Sequence, residues 1–165
     1  MRRFLKVSYE QYRKDSDDGE ENGELSKEYE DIILPRRATR CSAGYDFYAP
    51  RAFALEPGGQ IKLATGIRAI MNEDEWLGLY IRSGHGFKFG VRLKNSVAVI
   101  DADYANALNE GHIQIAIYNG GDKLLRVEKG EAFAQGVFQK YLLTEDDNPR
   151  QSERLGGMGS TSSGN

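Results

Sequence analysis

Apolar residues recur at every second position in short runs of this chain, and that spacing limits the fold more than any other feature. Val97 and Val99 alternate with their neighbours before the middle of the stretch 94–117, and Ile113, Ile115 and Ile117 do so after it. A period of two sends successive side chains to opposite faces, which is the pattern of a half-buried β-strand. The stretch therefore reads as a β-hairpin. Its tip holds Asp101, Asp103 and Tyr104, then Asn106, Asn109, Glu110 and Gly111. No apolar face accounts for this polar run, so the tip is expected to carry function.

Similar runs fill the chain beyond Ile32: GYDFYA, QIKLATGI, WLGLYI, FGVRL, SVAVI, HIQIAIY, KLLRV and FAQGVFQKY. Turn sequences separate them, most clearly Pro57-Gly58-Gly59 and Asn119-Gly120-Gly121-Asp122, where glycine supplies the positive φ a tight turn needs. Many short strands with almost no helical periodicity predict a β-sandwich, jelly roll or barrel. Trp76 and Tyr80 share one strand face and are expected to pack in its core rather than, with Phe87 and Phe89, to stack nucleic-acid bases.

The 165 residues suit one compact domain. A net charge of -3 and a pI near 5.5 leave no broad basic surface for nucleic acid, but allow a small anion where basic residues converge. Cys41 is the single cysteine, which excludes an intramolecular disulfide and a multi-cysteine zinc site and points to reducing cytosol. No run approaches the roughly 18 apolar residues of a membrane helix, and the start lacks the apolar centre of a signal peptide. A soluble cytoplasmic protein is expected, with neither membrane nor nucleic acid as partner.

The two ends differ from the middle. RRFLKVSYEQYRK mixes β-formers with basic residues and reads as an edge strand or a docked arm. From Asp15 to Asp31, nine of seventeen residues are acidic and only Lys27 is basic, so the segment reads as a solvated surface linker with a short helix near Leu25 to Tyr29. From Thr144 onward nothing can pack a core. That segment is either a frayed tail or, because small residues with hydroxyls and free amides follow Arg154, an anion-wrapping arm. The expected division is an arm and acidic loop at 1–31, a β-domain at 32–143 and a flexible C-terminal arm at 144–165. His85 and His112 are expected to be structural rather than acid-base groups.

Five polar clusters stand at the ends of β-runs: AGYDFYAP at 43–50, RSGHG at 82–86, NSVAVIDADY at 95–104, GEAFAQGVF at 130–138 and RLGGMGST at 154–161. In this order and spacing they resemble the five motifs of the trimeric dUTP pyrophosphatase family, over residues 34–161. The resemblance implies an all-β fold, a distorted jelly roll of the β-clip type, assembled as a homotrimer with active sites built from several subunits. It implies hydrolysis of dUTP to dUMP and pyrophosphate by water attacking the α-phosphorus, with Mg2+ as cofactor.

By the same resemblance Asp101 is the base that takes the water's proton, while Asp103, two residues on in a strand-like conformation, faces away. Asn95, Ala98 and Ile100 belong to the hairpin that reads uracil. A site built for such hydrogen bonds rejects a mismatched partner by as much as about 10⁴–10⁵. Tyr104 packs on the deoxyribose. Arg82, Ser83, Gly84 and Gln135 contact the phosphates, and Asp46 holds waters around a magnesium ion chelated by the triphosphate. Arg154, Gly157, Met158, Gly159, Ser160 and Thr161 close over the nucleotide.

The chain departs from the family pattern at several places. Ala98 stands for glycine, Ile81 for proline, His85-Gly86 for leucine-alanine and Met158 for phenylalanine, and YANALNEGHI is longer than usual. Two alternatives stay open: a dCTP deaminase relative of the same fold, and a dUTP-sensing protein that binds a regulatory partner through the acidic segment and the long loop.

Overall fold

The computed structural model describes residues 1–16 and 22–149. Its strands are β1 (Arg3–Lys6), β2 (Arg36–Arg37), β3 (Tyr45–Tyr48), β4 (Phe53–Leu55), β5 (Gln60–Ala64), β6 (Ile67–Ile70), β7 (Glu75–Ile81), β8 (Val91–Leu93), β9 (Ala98–Asp101), β10 (Gln114–Asn119), β11 (Leu125–Val127) and β12 (Ala132–Lys140). Helices α1 (Tyr9–Asp15) and α2 (Asn22–Glu30) precede β2, α3 (Ser83–Phe89) follows β7, and a 3-10 turn (Ala102–Asn106) follows β9. The largest sheet runs β2-β3-β12-β7-β9; β5-β10-β8, β1-β6 and β4-β11 complete the fold, and every pairing is antiparallel.

Alternation sorts the strands as expected. In β10, Ile115 and Ile117 are buried while Gln114, Ala116 and Tyr118 are half-exposed. Leu63, Leu77, Leu79, Ile113 and Phe133 meet them in one core. Each such side chain contributes about 1.5–3 kcal/mol by leaving water.

The hairpin expected over 94–117 does not form. β9 pairs with β7, whereas β10 pairs with β5 and β8, so the chain crosses from one sheet to another between them. The phase of β9 is also shifted by one. Ala98 and Ile100, facing Leu79 and Leu77, are the buried pair, and Val99 opposite Gly78 is 54% exposed. β7 imposes this register because its own core face is already set by Leu77 and Leu79.

The same register overturns the core placement of Trp76 and Tyr80. They do share a face of β7, but it is the outer one, where both are half-buried and the Tyr80 hydroxyl accepts a hydrogen bond from Gln139 Nε2 at 2.7 Å. Gly78 lies between them because a Cβ there would stand 2.9 Å from the Trp76 ring.

The N-terminal segment supplies both an edge strand and docked helices. Ser8 caps α1 by accepting the Gln11 N–H at 3.1 Å, and α2 extends the helix expected near Leu25 to Tyr29. Tyr12 and Leu25 are buried in the common core, Tyr12 donates to the Glu28 carboxylate, and Lys6 Nζ donates to the Tyr29 and Glu30 carbonyls at 2.8 Å each. The described part of the acidic segment is therefore a docked helix rather than a surface linker. Seven residues in α1 and a comparable number in α3 are too few to display a 3.6-residue period, which is why composition alone hides them.

Arg2 holds β1 against the rim of β7 by donating through two nitrogens to the Glu75 carboxylate, which Asn72 also contacts through its backbone N–H and its amide. The Arg2 hydrogen bonds hold Glu75 down at about 2, from an ordinary 4.5. A depressed carboxylate stabilises the fold fully above its unfolded value, and that contribution drains away as pH falls from about 4.5 toward 2. Glu75→Gln should therefore be less stable than the parent at neutral pH and show a flatter acid limb over this window. Thermal melts at stepped pH measure both.

Candidate functional site

Two groups of motif residues form at opposite ends of the large sheet. Arg36, Asp46, Gln135 and Tyr80 are successive partners across β2, β3, β12 and β7, so their side chains project from one face in a row. Arg82, just past the end of β7, joins this row. Its Nε lies 3.3 Å from Asp46 Oδ1, and its Nη1 donates to the Ala132 carbonyl at 3.1 Å. Gln135 Nε2 donates to the Ile81 carbonyl at 3.3 Å. Gly44 makes room for it, since a Cβ there would stand 2.3 Å from Gln135 Oε1.

Ser83 and Gly84 open α3 and line a cavity of about 480 Å³ together with Arg82, His85, Lys88 and Arg126. Four groups able to carry positive charge thus surround one space, against the single carboxylate of Glu131. Lys88 and Arg126 come from α3 and β11, and no motif spacing marks them; only the tertiary fold brings them to Arg82. His85 is half-buried with Nδ1 3.4 Å from the Phe133 carbonyl and Nε2 3.8 Å from Glu131.

At the other end, Asp101 faces Trp76 across β9 and β7. Asp101 and Asp103 are both exposed and both line a cavity of about 650 Å³ that includes Met71, Glu73 and Tyr141. The expectation that Asp103 faces away is corrected here. The 3-10 turn begins at Ala102 and replaces the two-residue period with one near three, bringing both carboxylates to the same space. Glu73 and Tyr141, which the motifs do not mark, are joined by a Tyr141 hydroxyl bond to the Glu73 carbonyl at 2.6 Å.

Tyr104 is 2% exposed; its hydroxyl donates to the His112 carbonyl and accepts from Asn109 Nδ2, each at 2.8 Å. Ala98 and Ile100 bury their side chains, so only their backbone can meet a ligand. β9 is an edge strand and turns one side of that backbone away from β7. Asn95 is exposed in the turn before β9, where Ser96 adopts a φ of 64°. Arg154, Gly157, Met158, Gly159, Ser160 and Thr161 lie outside the described residues.

The two groups are far apart within one chain. Arg82 stands six positions beyond Trp76, the partner of Asp101, and at about 3.3 Å per residue that is roughly 20 Å. Among the described residues no cluster of three or more His, Cys, Asp or Glu converges to hold a metal ion. Asp46 stands as a single carboxylate beside Arg82. That donor set suits an ion held mainly by a bound polyphosphate rather than a protein cage.

A family model described as dUTPase matches residues 30–164, a span that takes in all five clusters. The chain belongs to the dUTPase family. The deoxyuridine 5'-triphosphate nucleotidohydrolase of Lactococcus lactis subsp. lactis (strain IL1403) is 43% identical over 132 residues, covering 79% of this chain and 88% of that protein. The crystal structure of dUTPase from Streptococcus mutans is 34% identical, with 86% of this chain and 98% of that chain covered at a TM-score of 0.64. A dUTPase from phage phi11 of S. aureus, whose structure shows a structural Mg(II) ion, has the same fold at 18% identity, a TM-score of 0.64 and coverage of 93% and 99%. The mostly β architecture is thus the distorted jelly roll of the dUTPases.

In this dUTPase the Gly44–Gln135 contact offers a selective probe of the Gln135 end of the sheet. Gly44→Ala should leave thermal unfolding nearly unchanged, because the end of a glutamine side chain can swing aside. It should weaken binding of a non-hydrolysable dUTP analogue by about tenfold, the worth of one hydrogen bond to a charged group. Isothermal titration beside a melting curve checks both halves.

Proposed function

We propose that this dUTPase hydrolyses dUTP to dUMP and pyrophosphate in sites shared among three copies of the chain, with Asp101 as the base. The separation of Asp101 and Arg82, roughly 20 Å along β7, carries this reading. A base must lie about 2.6–3.2 Å from the attacking water, and that water about 3–3.5 Å from the phosphorus, so Asp101 stands within roughly 7 Å of the α-phosphorus. Arg82 of the same chain is too distant to hold that triphosphate. The Arg82 of a neighbouring copy completes the site.

In the step itself, Asp101 accepts a proton as the water oxygen bonds to the α-phosphorus. The bond from that phosphorus to its bridging oxygen breaks, and pyrophosphate leaves. Arg82, Ser83, Gly84 and Gln135 bind the phosphates, and the planar fork of arginine meets the charge that develops on their oxygens. Asp46 would hold a magnesium ion carried in by the nucleotide, which would supply further charge neutralisation. The outward backbone of β9 at Ala98 and Ile100, with the Asn95 amide, offers uracil its donors and acceptors. Tyr104 underlies the deoxyribose. The family resemblance assigns Arg154, Met158, Gly159, Ser160 and Thr161 to contacts with the bound nucleotide. The outer sheet face, with Trp76, Tyr80, Val99 and Val137, supplies apolar area for contacts between copies.

The dCTP deaminase alternative has no comparable support, since the matching family and the relatives are dUTPases. The reaction is assigned to the cytoplasm on the strength of the single free, exposed Cys41. Among the described residues no helix is long and apolar enough to cross a membrane.

Asp101→Asn should retain dUTP binding and lose about 10²–10⁴ in kcat, read as pyrophosphate release. The shared site is tested by mixing. Asp101→Asn and Arg82→Ala should each be inactive alone, yet dissociated and reassembled at equal amounts they should regain roughly a quarter of the sites by random pairing. No recovery on mixing, or a stable monomer by light scattering, would sink the shared site.

A further inference from the structure

The two segments that look least like catalytic machinery, the helical N-terminal arm and the long loop after Asp101, are bonded to each other. Ser8 donates from its backbone N–H to Glu110 Oε2 at 2.8 Å and from its hydroxyl to Glu110 Oε1 at 2.5 Å. Asp15, at the end of α1, lies with Oδ2 2.6 Å from His112 Nδ1, and the same oxygen accepts from Gln11 Nε2 at 2.7 Å. Tyr12 places its ring 6.0 Å from the His112 ring. His112 is fully buried, so its bond to Asp15 is not an incidental surface contact.

The protonation state of His112 follows from its neighbours. Its Nε2 faces the Gly66 backbone N–H at 2.8 Å and must accept, so that nitrogen carries no proton. The ring proton is on Nδ1 and is donated to Asp15. Burial pushes the imidazole below its ordinary value and favours this neutral form.

From His112 the bonds run to the site. The His112 carbonyl accepts the Tyr104 hydroxyl, Asn109 donates to the same hydroxyl, and the Tyr104 carbonyl accepts the Ala107 N–H at 3.1 Å. Arg68 Nη2 donates to the Ala105 carbonyl at 2.6 Å. Gly111, at a φ of 69°, allows the loop to fold back this closely, because a Cβ would stand 2.7 Å from the Tyr104 carbonyl. Tyr104 lies within the 3-10 turn that follows Asp101 directly.

The geometry points to α1 as a positioning element of the site: the chain Asp15–His112–Tyr104 clamps the turn that aims Asp101 and Asp103 into their shared cavity. Asp15, His112 and Glu110 are positioning residues; none lines that cavity. The inference rests on the reading of Asp101 as the base. A clamp of this kind acts on the reacting geometry more than on affinity, since in the shared site the phosphates that anchor dUTP are held by the Arg82 group of a neighbouring copy, which α1 of this chain does not position.

Asp15→Ala removes the acceptor for Nδ1–H, whereas Asp15→Asn keeps one. With protein folded at the assay temperature, Asp15→Ala should lower kcat for dUTP about tenfold or more with KM changed less than about twofold, and Asp15→Asn should restore most of the loss. Amide hydrogen exchange should quicken at residues 102–112 in the alanine variant. Ser8→Ala removes the hydroxyl bond of the second tie and the side-chain cap of α1, keeps the backbone bond to Glu110 and leaves His112 in place, and should lower kcat by about threefold if Asp15→Ala proves unable to fold.

Parental kcat in both alanine variants, equal loss in Asp15→Asn and Asp15→Ala, or unchanged exchange at 102–112 would overturn the clamp. Asp101→Asn in the same assay keeps the two readings apart. Turnover retained there removes Asp101 as the base, while the exchange measurement still decides whether α1 holds the turn.

Discussion

The pairing of β12 with β7 is the constraint on which the rest of the structure depends. Seven consecutive residue pairs, from Ala134 opposite Ile81 to Lys140 opposite Glu75, set one register for the centre of the largest sheet. A slip by one residue would exchange the faces of both strands, driving Gln135 and Gln139 into the core and Ala134 and Gly136 out of it. The register therefore decides at once where the apolar core lies and which side chains reach the outer face. It also brings Asp46, Gln135 and Arg82 from three separate motifs to one end, while β9 delivers Asp101 to the other.

That arrangement places the two groups of motif residues at opposite ends of one sheet. A strand of seven residues is a stiff spacer, so the Arg82 end and Asp101 are held apart by the same hydrogen bonds that hold the sheet together. Their separation is a property of the fold and cannot be closed by side-chain motion. The edge position of β9 leaves one side of its backbone turned outward.

The N-terminal helices show a second use of the same economy. Residues rich in charge bury Tyr12 and Leu25, and their polar groups are spent on the loop that follows Asp101. A neutral His112 with both ring nitrogens engaged orders this loop from within, where a purely apolar contact would leave its backbone polar groups unsatisfied. The length of the loop after Tyr104 and the presence of α1 are thus two parts of one packing solution.

Much of this was legible in the residues. Period-two runs marked nearly all of the longer strands, and the order of five polar clusters pointed to the family. What stayed hidden involved partners distant in sequence. Val97 and Val99 look like a buried face, yet only the pairing of β9 with β7 shows that Ala98 and Ile100 take that role. Local alternation is the same for either face, so no run can report which side meets the core. Lys88 and Arg126 carry no motif, and their convergence on Arg82 is visible only once α3 and β11 are folded.

The sequence by itself determined the β-rich character, the turns and the chemical groups available to the site, because these depend on backbone preference and side-chain type over a few residues. Only the tertiary structure decided the strand register, the docking of α1 on the loop at His112 and the distance between Asp101 and Arg82. Each of those is set by hydrogen bonds and packing between segments far apart along the chain, and such contacts have no local signature.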